Sequence, residues 1–428
     1  MNSIWVNSLE SRERVEQALN HEEPDRVPLD LGGSAVTGMH VSTVYKLRQA
    51  MKLDPPGTPV KIPEPFQMLG EIAPDLQETL GVDVVGLISP RTMFGYEYDE
   101  WKPWTTFDGT PVLVPIHFNT EPNPDGSIHM YAKGDKNTPP SAWMPKDGHY
   151  FDATDRQETL DWKNLDLEDN IEEFAPISND DLNYFGEQAS KLYSTGKAIL
   201  ANFGGTSFGD IALIPGLDMG YPKGVRGVKE WYMCHVRRPD LIKQIFEHQM
   251  EIAIENLGKI YGKVGDRVTA VFITGTDFGT QRKPIMSVPS FRKLYKPFHA
   301  KVNEWVHENT SWKTFIHSCG SVEALIPEFI DSGFDILNPV QTSAANMDAQ
   351  ELKDKYGDRI TFWGGGVDTQ STLPFGTPEQ VERQIRERMR IFGENGGFVF
   401  NTIHNVQPKI PVENVLAMYD AFKSERSN

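Results

Sequence analysis

A single closed (β/α)8 barrel of the TIM type, with a β-rich insertion after its second strand, is the fold this sequence predicts, and three observations predict it. Eight short apolar runs recur along the 428 residues. Several are separated by long amphipathic stretches, the alternation expected of a parallel sheet covered by helices. No GxGxxG turn follows the first run, which favours a closed barrel over a doubly wound sheet.

The runs are Val27 to Leu31, Val82 to Ile88, Ala198 to Phe203, Val268 to Thr274, Lys313 to Ser318, Phe334 to Asn338, Ile360 to Gly364 and Phe398 to Thr402. Each is short and nearly all apolar, as a strand buried on both faces requires. Helical periodicity covers residues 227–263, 290–310 and 378–396. Residues 91–185 break the alternation. They are rich in Trp, Pro and Asp-Gly turns, and TFDGTP (residues 106–111) and PDGSI (124–128) predict hairpin turns between short strands. We expect one domain over residues 1–428, with 91–185 inserted as a subdomain or lid over the barrel mouth. The aromatics of this segment, among them Trp101, Trp104, Phe118, Trp143 and Phe151, are expected mainly to form its own small core, with a pocket lining as the alternative.

Composition narrows the function. With 39% hydrophobic residues the chain can bury a large core. Sixty acidic against 42 basic residues give a net charge of −18, and no basic tract follows a phosphate backbone, which argues against nucleic acid. No run of about 18 apolar residues suggests a membrane span, and the N-terminal stretch lacks a signal-peptide pattern, so a cytoplasmic location is expected. The two cysteines, Cys234 and Cys319, are too few to staple a secreted fold. A homo-oligomer stays open.

In the stretch FIHSCGS, His317 and Cys319 stand two positions apart at the end of the fifth run. Residues i and i+2 of a strand project to the same side, so both can point into the barrel mouth. A thiolate beside an imidazole is a zinc-type ligand pair. His404, in FNTIHNVQ after the eighth run, returns to the same rim and can complete a His, Cys, His set with one position open. Asp277, in TGTDFGTQ after the fourth run, is a fourth ligand or an acid/base group. The competing reading is structural: a reduced core cysteine, a hydrogen-bonded histidine and a capping aspartate. Gly364 to Gly366 either cradle a phosphate or only let a loop turn tightly. Cys234 is expected to be buried packing, and its neighbour His235 has no partner legible in the sequence.

Five ordered stretches, RVEQALNHEEPDRVPLDLGG (14–33), DFGTQ (277–281), FIHSCGSVEALIPEFIDSGFDILNPVQ (315–341), WGGGVDTQ (363–370) and GGFVFNTIHNVQPKIPVENV (396–415), together resemble the uroporphyrinogen decarboxylase superfamily. More closely they resemble its corrinoid-dependent methyltransferase branch. The resemblance implies a (β/α)8 barrel and a zinc held by the HxC pair, here His317 and Cys319, plus a ligand after the eighth strand. His404 stands where that branch usually has cysteine. The decarboxylases hold substrate carboxylates with an N-terminal arginine pair, and the matching stretch here, LGGSAVTGMH (31–40), has no arginine. That ranks decarboxylation second.

The resemblance thus implies a zinc-dependent methyltransferase, and the long insertion, as a lid suited to a larger molecule, inclines the reading to the O-demethylase type. It would move a methyl group between a small methyl donor or acceptor, such as a methoxylated aromatic, and a corrinoid. No DxHxxG cobalamin signature is present, so the cobalamin would arrive on a separate corrinoid protein. Methyl transfer from the corrinoid to a thiol, a decarboxylase, and a non-catalytic binder of metabolite or corrinoid protein are the alternatives.

Overall fold

The computed structural model describes residues 9–425. Seven parallel strands form one curled sheet, in the spatial order of the chain: Val84–Leu87, Ala198–Ala201, Ala270–Thr274, Lys313–His317, Ile336–Asn338, Thr361–Trp363 and Phe398–Val399. Each lies inside one of the predicted runs.

The first run differs from expectation. It makes a single bridge, Leu29 to Phe400, instead of a full strand. Asp30 N donates to Phe400 O at 2.9 Å and Phe400 N to Pro28 O at 2.8 Å, while Asp83 N donates to Leu29 O at 2.8 Å. The run therefore joins the last strand to the second and closes the ring. Its ladder is short for local reasons. Pro28 has no N–H to give, and the Leu29 N–H is taken by the Asp83 carboxylate at 2.9 Å. That carboxylate is fully buried, and it also accepts from Arg14, Arg26 and Ser11. Paired on all sides, it avoids the several kcal/mol that an unpaired buried charge costs, roughly 3–5 kcal/mol when one partner is removed.

Inside the ring, Val84, Ala198, Leu200, Ala270, Phe272, Phe315, Ile336, Trp363 and Val399 make one buried cluster. Val15 and Leu19 of the helix Ser11–Leu19 join it and plug the N-terminal end. The outer helices bury their apolar stripes against the other strand face. Pro378–Gly393 is representative: a Thr377/Gln380 capping box and a first-turn proline start it, and Val381, Ile385, Met389 and Phe392 face inward. Two predicted helices are broken. Residues 228–264 form Val228–Arg237 and Pro239–Val264, and residues 288–309 form Val288–Leu294 and Lys296–Asn309. Pro239 and Pro297 each occupy the first turn of the second piece, where a missing N–H costs nothing.

Between Val84–Leu87 and the helix Asn179–Tyr193 lie two small sheets. One pairs Trp101–Thr105 antiparallel with Pro111–Pro115 and adds Val60–Lys61 from outside the segment. The other pairs Ile128–Tyr131, Pro140–Met144 and Asp152–Ala153. Both Asp-Gly turns are present, with Gly109 and Gly126 at positive φ. Phe118 and Phe151 pack together with Phe94 and Trp104, whereas Trp143 and Tyr150 are 40% and 48% exposed. Residue 185 falls within Asn179–Tyr193, the helix that precedes the third barrel strand. Among the described residues no helix is long and apolar enough to cross a membrane.

Candidate metal centre

His317 ends the fifth barrel strand and is buried. Its Nδ1 lies 2.6 Å from Asn338 Oδ1, on the neighbouring strand and in register with it. The Asn338 amide is oriented by its other end, where Nδ2 donates to Trp363 O at 2.9 Å. With a pure acceptor facing it, Nδ1 carries the proton and Nε2 keeps a free lone pair, the arrangement found behind metal-bound imidazoles.

Cys319 follows in the loop, its Sγ 3.5 Å from His317 Nε2. The loop is held close by two glycines: a Cβ on Gly320 (φ +90°) would lie 2.5 Å from the Gly279 backbone, and one on Gly279 2.5 Å from Cys319 O. The Cys319 N–H donates to Asp277 Oδ1 at 2.7 Å. His404 approaches from the loop after the last strand, its ring 5.5 Å from that of His317 between centroids. One donor atom from each of His317, Cys319 and His404 lies within 4.8 Å of the others. Zinc–sulfur and zinc–nitrogen bonds of about 2.3 and 2.0 Å at a tetrahedral angle put such donors about 3.5 Å apart, matching the sulfur–imidazole spacing of 3.5 Å seen here. The donor set therefore fits a tetrahedral zinc with one position unfilled by protein.

The electrostatics fit as well. Burial pushes both imidazoles down to about 4, and for His404 the nearby His317 adds to the effect, so both rings are neutral at neutral pH, the form that can bind a metal. Burial, and then the Asp277 carboxyl, push the Cys319 thiol up. Without a cation it stays protonated; a bound cation offsets both effects and displaces the proton. Burial also raises Asp277, opposed by the Cys319 N–H and by His404.

Thus the structure brings together all four residues singled out in the sequence. It adds Asp210, in the loop after the third barrel strand, whose carboxyl burial pushes up to about 6, with the charge of Asp277 as a smaller contribution. Asn338 is a second addition. The other candidates fall outside the cluster. Cys234 is buried, and His235 finds partners in Trp231 O at 2.8 Å and the Tyr295 hydroxyl at 2.6 Å. The three glycines are packed turn residues: Cβ atoms on Gly364, Gly365 and Gly366 would meet Thr402 O, Val340 O and the Phe400 ring at 2.8, 2.8 and 2.3 Å.

Residues 219–425 match the family model for uroporphyrinogen decarboxylase. The uroporphyrinogen decarboxylase of Magnetococcus marinus is 24% identical over 186 residues, which cover 40% of this chain and 49% of that protein. That of Pseudoalteromonas atlantica is 28% identical over 75 residues, 18% of this chain and 20% of that one. The match thus spans about half the length, or less, of these curated relatives. Among solved structures, a methyltransferase from Methanosarcina mazei superposes with a TM-score of 0.53 at 16% identity, covering 97% of this chain and 99% of that chain. This last likeness is one of fold. The resemblance to the uroporphyrinogen decarboxylase superfamily therefore holds at the level of sequence for the C-terminal half, and the likeness of the whole barrel to the methyltransferase is one of fold.

Proposed function

We propose that this chain, whose C-terminal half matches the uroporphyrinogen decarboxylase family, is a zinc-dependent methyltransferase. It exchanges a methyl group between a small methylated substrate, such as the methyl ether of a methoxylated aromatic, and a corrinoid carried by a partner protein. The observation that carries this reading is the convergence of His317, Cys319 and His404 donor atoms within 4.8 Å of one another at the C-terminal mouth of the barrel, where barrel enzymes do their chemistry.

In this reading His317 Nε2, Cys319 Sγ and one His404 nitrogen are the ligands, and replacing the branch's usual cysteine by His404 leaves a less negative, more strongly Lewis-acidic site. Zinc, when bound, polarises the substrate heteroatom and eases loss of its methyl group. The rest is the work of the chain. Asn338 fixes the tautomer and ring plane of His317. Asp277 anchors the Cys319 backbone. Residues 91–185 act as a lid that selects a larger, aromatic substrate, and a reduced thiol ligand suits a cytoplasmic setting.

Decarboxylation is the second reading, supported by the names of the curated relatives. Against it stands the segment Leu31 to His40, which offers no arginine to a polycarboxylate. Elemental analysis of the wild type and of Cys319→Ser and His404→Ala, followed by methyl transfer to a corrinoid protein, separates the two. Near-stoichiometric zinc in the wild type, lost in both variants together with methyl transfer, is expected. Activity that survives chelation, or wild-type protein that takes up no zinc on repletion, would overturn the proposal.

A further inference from the structure

The carboxyl of Asp210 occupies a place that the barrel prepares for it. Phe315 on the fifth strand pairs with Phe272 on the fourth, but Ile316 pairs with Thr274, so an irregularity inserts one extra residue into the fourth strand. Phe272 and Phe315 both belong to the interior cluster. Above the bulge, the next inward place level with His317 falls on Gly275, and the one after it on Asp277. Gly275 has no side chain to put there. A Cβ at this position would lie 2.7 Å from Asp210 Oδ2 and 3.4 Å from the Phe272 ring. The Asp210 carboxyl therefore fills the vacated inward space, directly above the apolar interior and in the layer of His317.

The two oxygens of Asp210 are used differently. Oδ1 accepts from Ala212 N at 3.0 Å, whereas Oδ2 has no hydrogen-bond donor among the described residues. Asp277 likewise has one oxygen on a backbone N–H, that of Cys319, but it is also engaged by the Cys319 thiol. The titratable groups that face Asp210 are Asp277, Tyr232 and Tyr295. The Asp277 carboxyl disfavours a second negative charge, and the two tyrosine hydroxyls, held up by burial, stay neutral beside it, in keeping with a carboxyl that burial already holds toward its neutral form.

Resting on the methyltransferase reading above, we propose that Asp210, not Asp277, is the proton donor of this site, delivering the Oδ2 proton to the substrate oxygen as its methyl group leaves. The step balances as follows. The O–CH3 bond breaks with both electrons staying on oxygen, and the methyl carbon bonds to the electron pair of the reduced corrinoid brought by the partner. The oxygen takes the Asp210 proton, and the resulting carboxylate is reprotonated from solvent. Gly275 is the residue that makes room for the donor.

The test compares Asp210→Asn with Asp277→Asn in the full, zinc-replete chain. Three readouts apply: zinc content, the infrared carboxylic C=O band followed through a pH titration, and turnover of two methyl ethers whose leaving groups need a proton to very different degrees, an alkyl and a nitrophenyl ether. Asp210→Asn is expected to keep its zinc and lose one titrating carboxylic band that Asp277→Asn retains. It should slow the alkyl ether by about 100-fold or more, the usual weight of general acid catalysis, while the nitrophenyl ether changes little. Gly275→Ala, which places a methyl group against Oδ2, should reproduce the same selectivity if Asp210→Asn fails to fold. Equal loss on both ethers, no loss on either, or a band that persists in Asp210→Asn overturns the assignment while leaving the methyltransferase reading intact. A zinc-loaded wild type that demethylates neither ether sinks both together.

Discussion

The barrel interior holds two layers that are one register step apart and share almost nothing in composition. The lower layer is apolar: Phe272, Phe315, Ile336, Trp363 and Val399. Two residues further along the same strands the inward places fall to His317, Asn338 and Asn401, and on the fourth to Gly275, whose space the Asp210 carboxyl fills, with Asp277 one inward place beyond. Moving one pleat toward the C-terminal rim thus exchanges burial for chemistry. The lower layer supplies stability, at about 1.5–3 kcal/mol for each large apolar side chain removed from water, and a rigid floor. The upper layer spends some of that stability on desolvated polar groups, each of which must be paired.

The division can be broken from below. Phe315 is fully buried between the Phe272 and Trp363 rings, at centroid distances of 5.4 and 5.5 Å. Phe315→Ala should cost about 3–5 kcal/mol in denaturant unfolding, while the folded fraction still binds zinc stoichiometrically. Loss of zinc without loss of stability would show that the layers are not separable. From above, Asn338→Ala frees the His317 tautomer and leaves Trp363 O unpaired. It should weaken zinc about 10–100-fold in chelator competition, and an unchanged affinity would remove Asn338 from the site.

A third substitution sharpens the contrast by testing a histidine without a partner. His299 sits among Phe208, Phe278, Phe291 and Phe334, fully buried, with neither ring nitrogen bonded among the described residues. Burial pushes it down to about 3. Its unfolded value is about 6.5, so below that pH the unfolded chain binds the extra proton and stability falls as pH falls, until the folded value is reached. Between pH 7 and pH 6 this one ring should remove about 0.7 kcal/mol. Urea unfolding of His299→Phe at both pH values should show that part of the loss abolished; an identical loss would mean that His299 is solvated or paired.

Much of this was legible in advance for a physical reason. A strand covered on both faces has to be apolar throughout, so the runs around Val271, Ile316 and Leu337 announce themselves without an alignment. His317 and Cys319 were legible because strand alternation fixes which side chains share a face. What stayed hidden depends on a single register event. Nothing in VTAVFITGTDFG marks the extra residue that turns Gly275 and Asp277 inward, and without it Asp210 is an ordinary loop aspartate. Asn338 did leave a trace, as the one amide closing the apolar run FDILN. The shortening of the first strand was foreshadowed by Pro28, but the capture of the Leu29 N–H by a side chain 54 positions away was not.

That short first strand has a consequence in time. Leu29 is bridged on its far side by Phe400, which leaves the ribosome about 370 residues later, or about 20–70 s at ordinary rates of synthesis. Until then Asp30 N and Pro28 O face an open seam, while the carboxylate of Asp83, already able to gather Arg14, Arg26 and the Leu29 N–H, holds the run on its other side, against the second strand. An ion cluster that looks like a static brace in the finished barrel thus also pins the first run to the second strand while the chain that will close the ring is still being made.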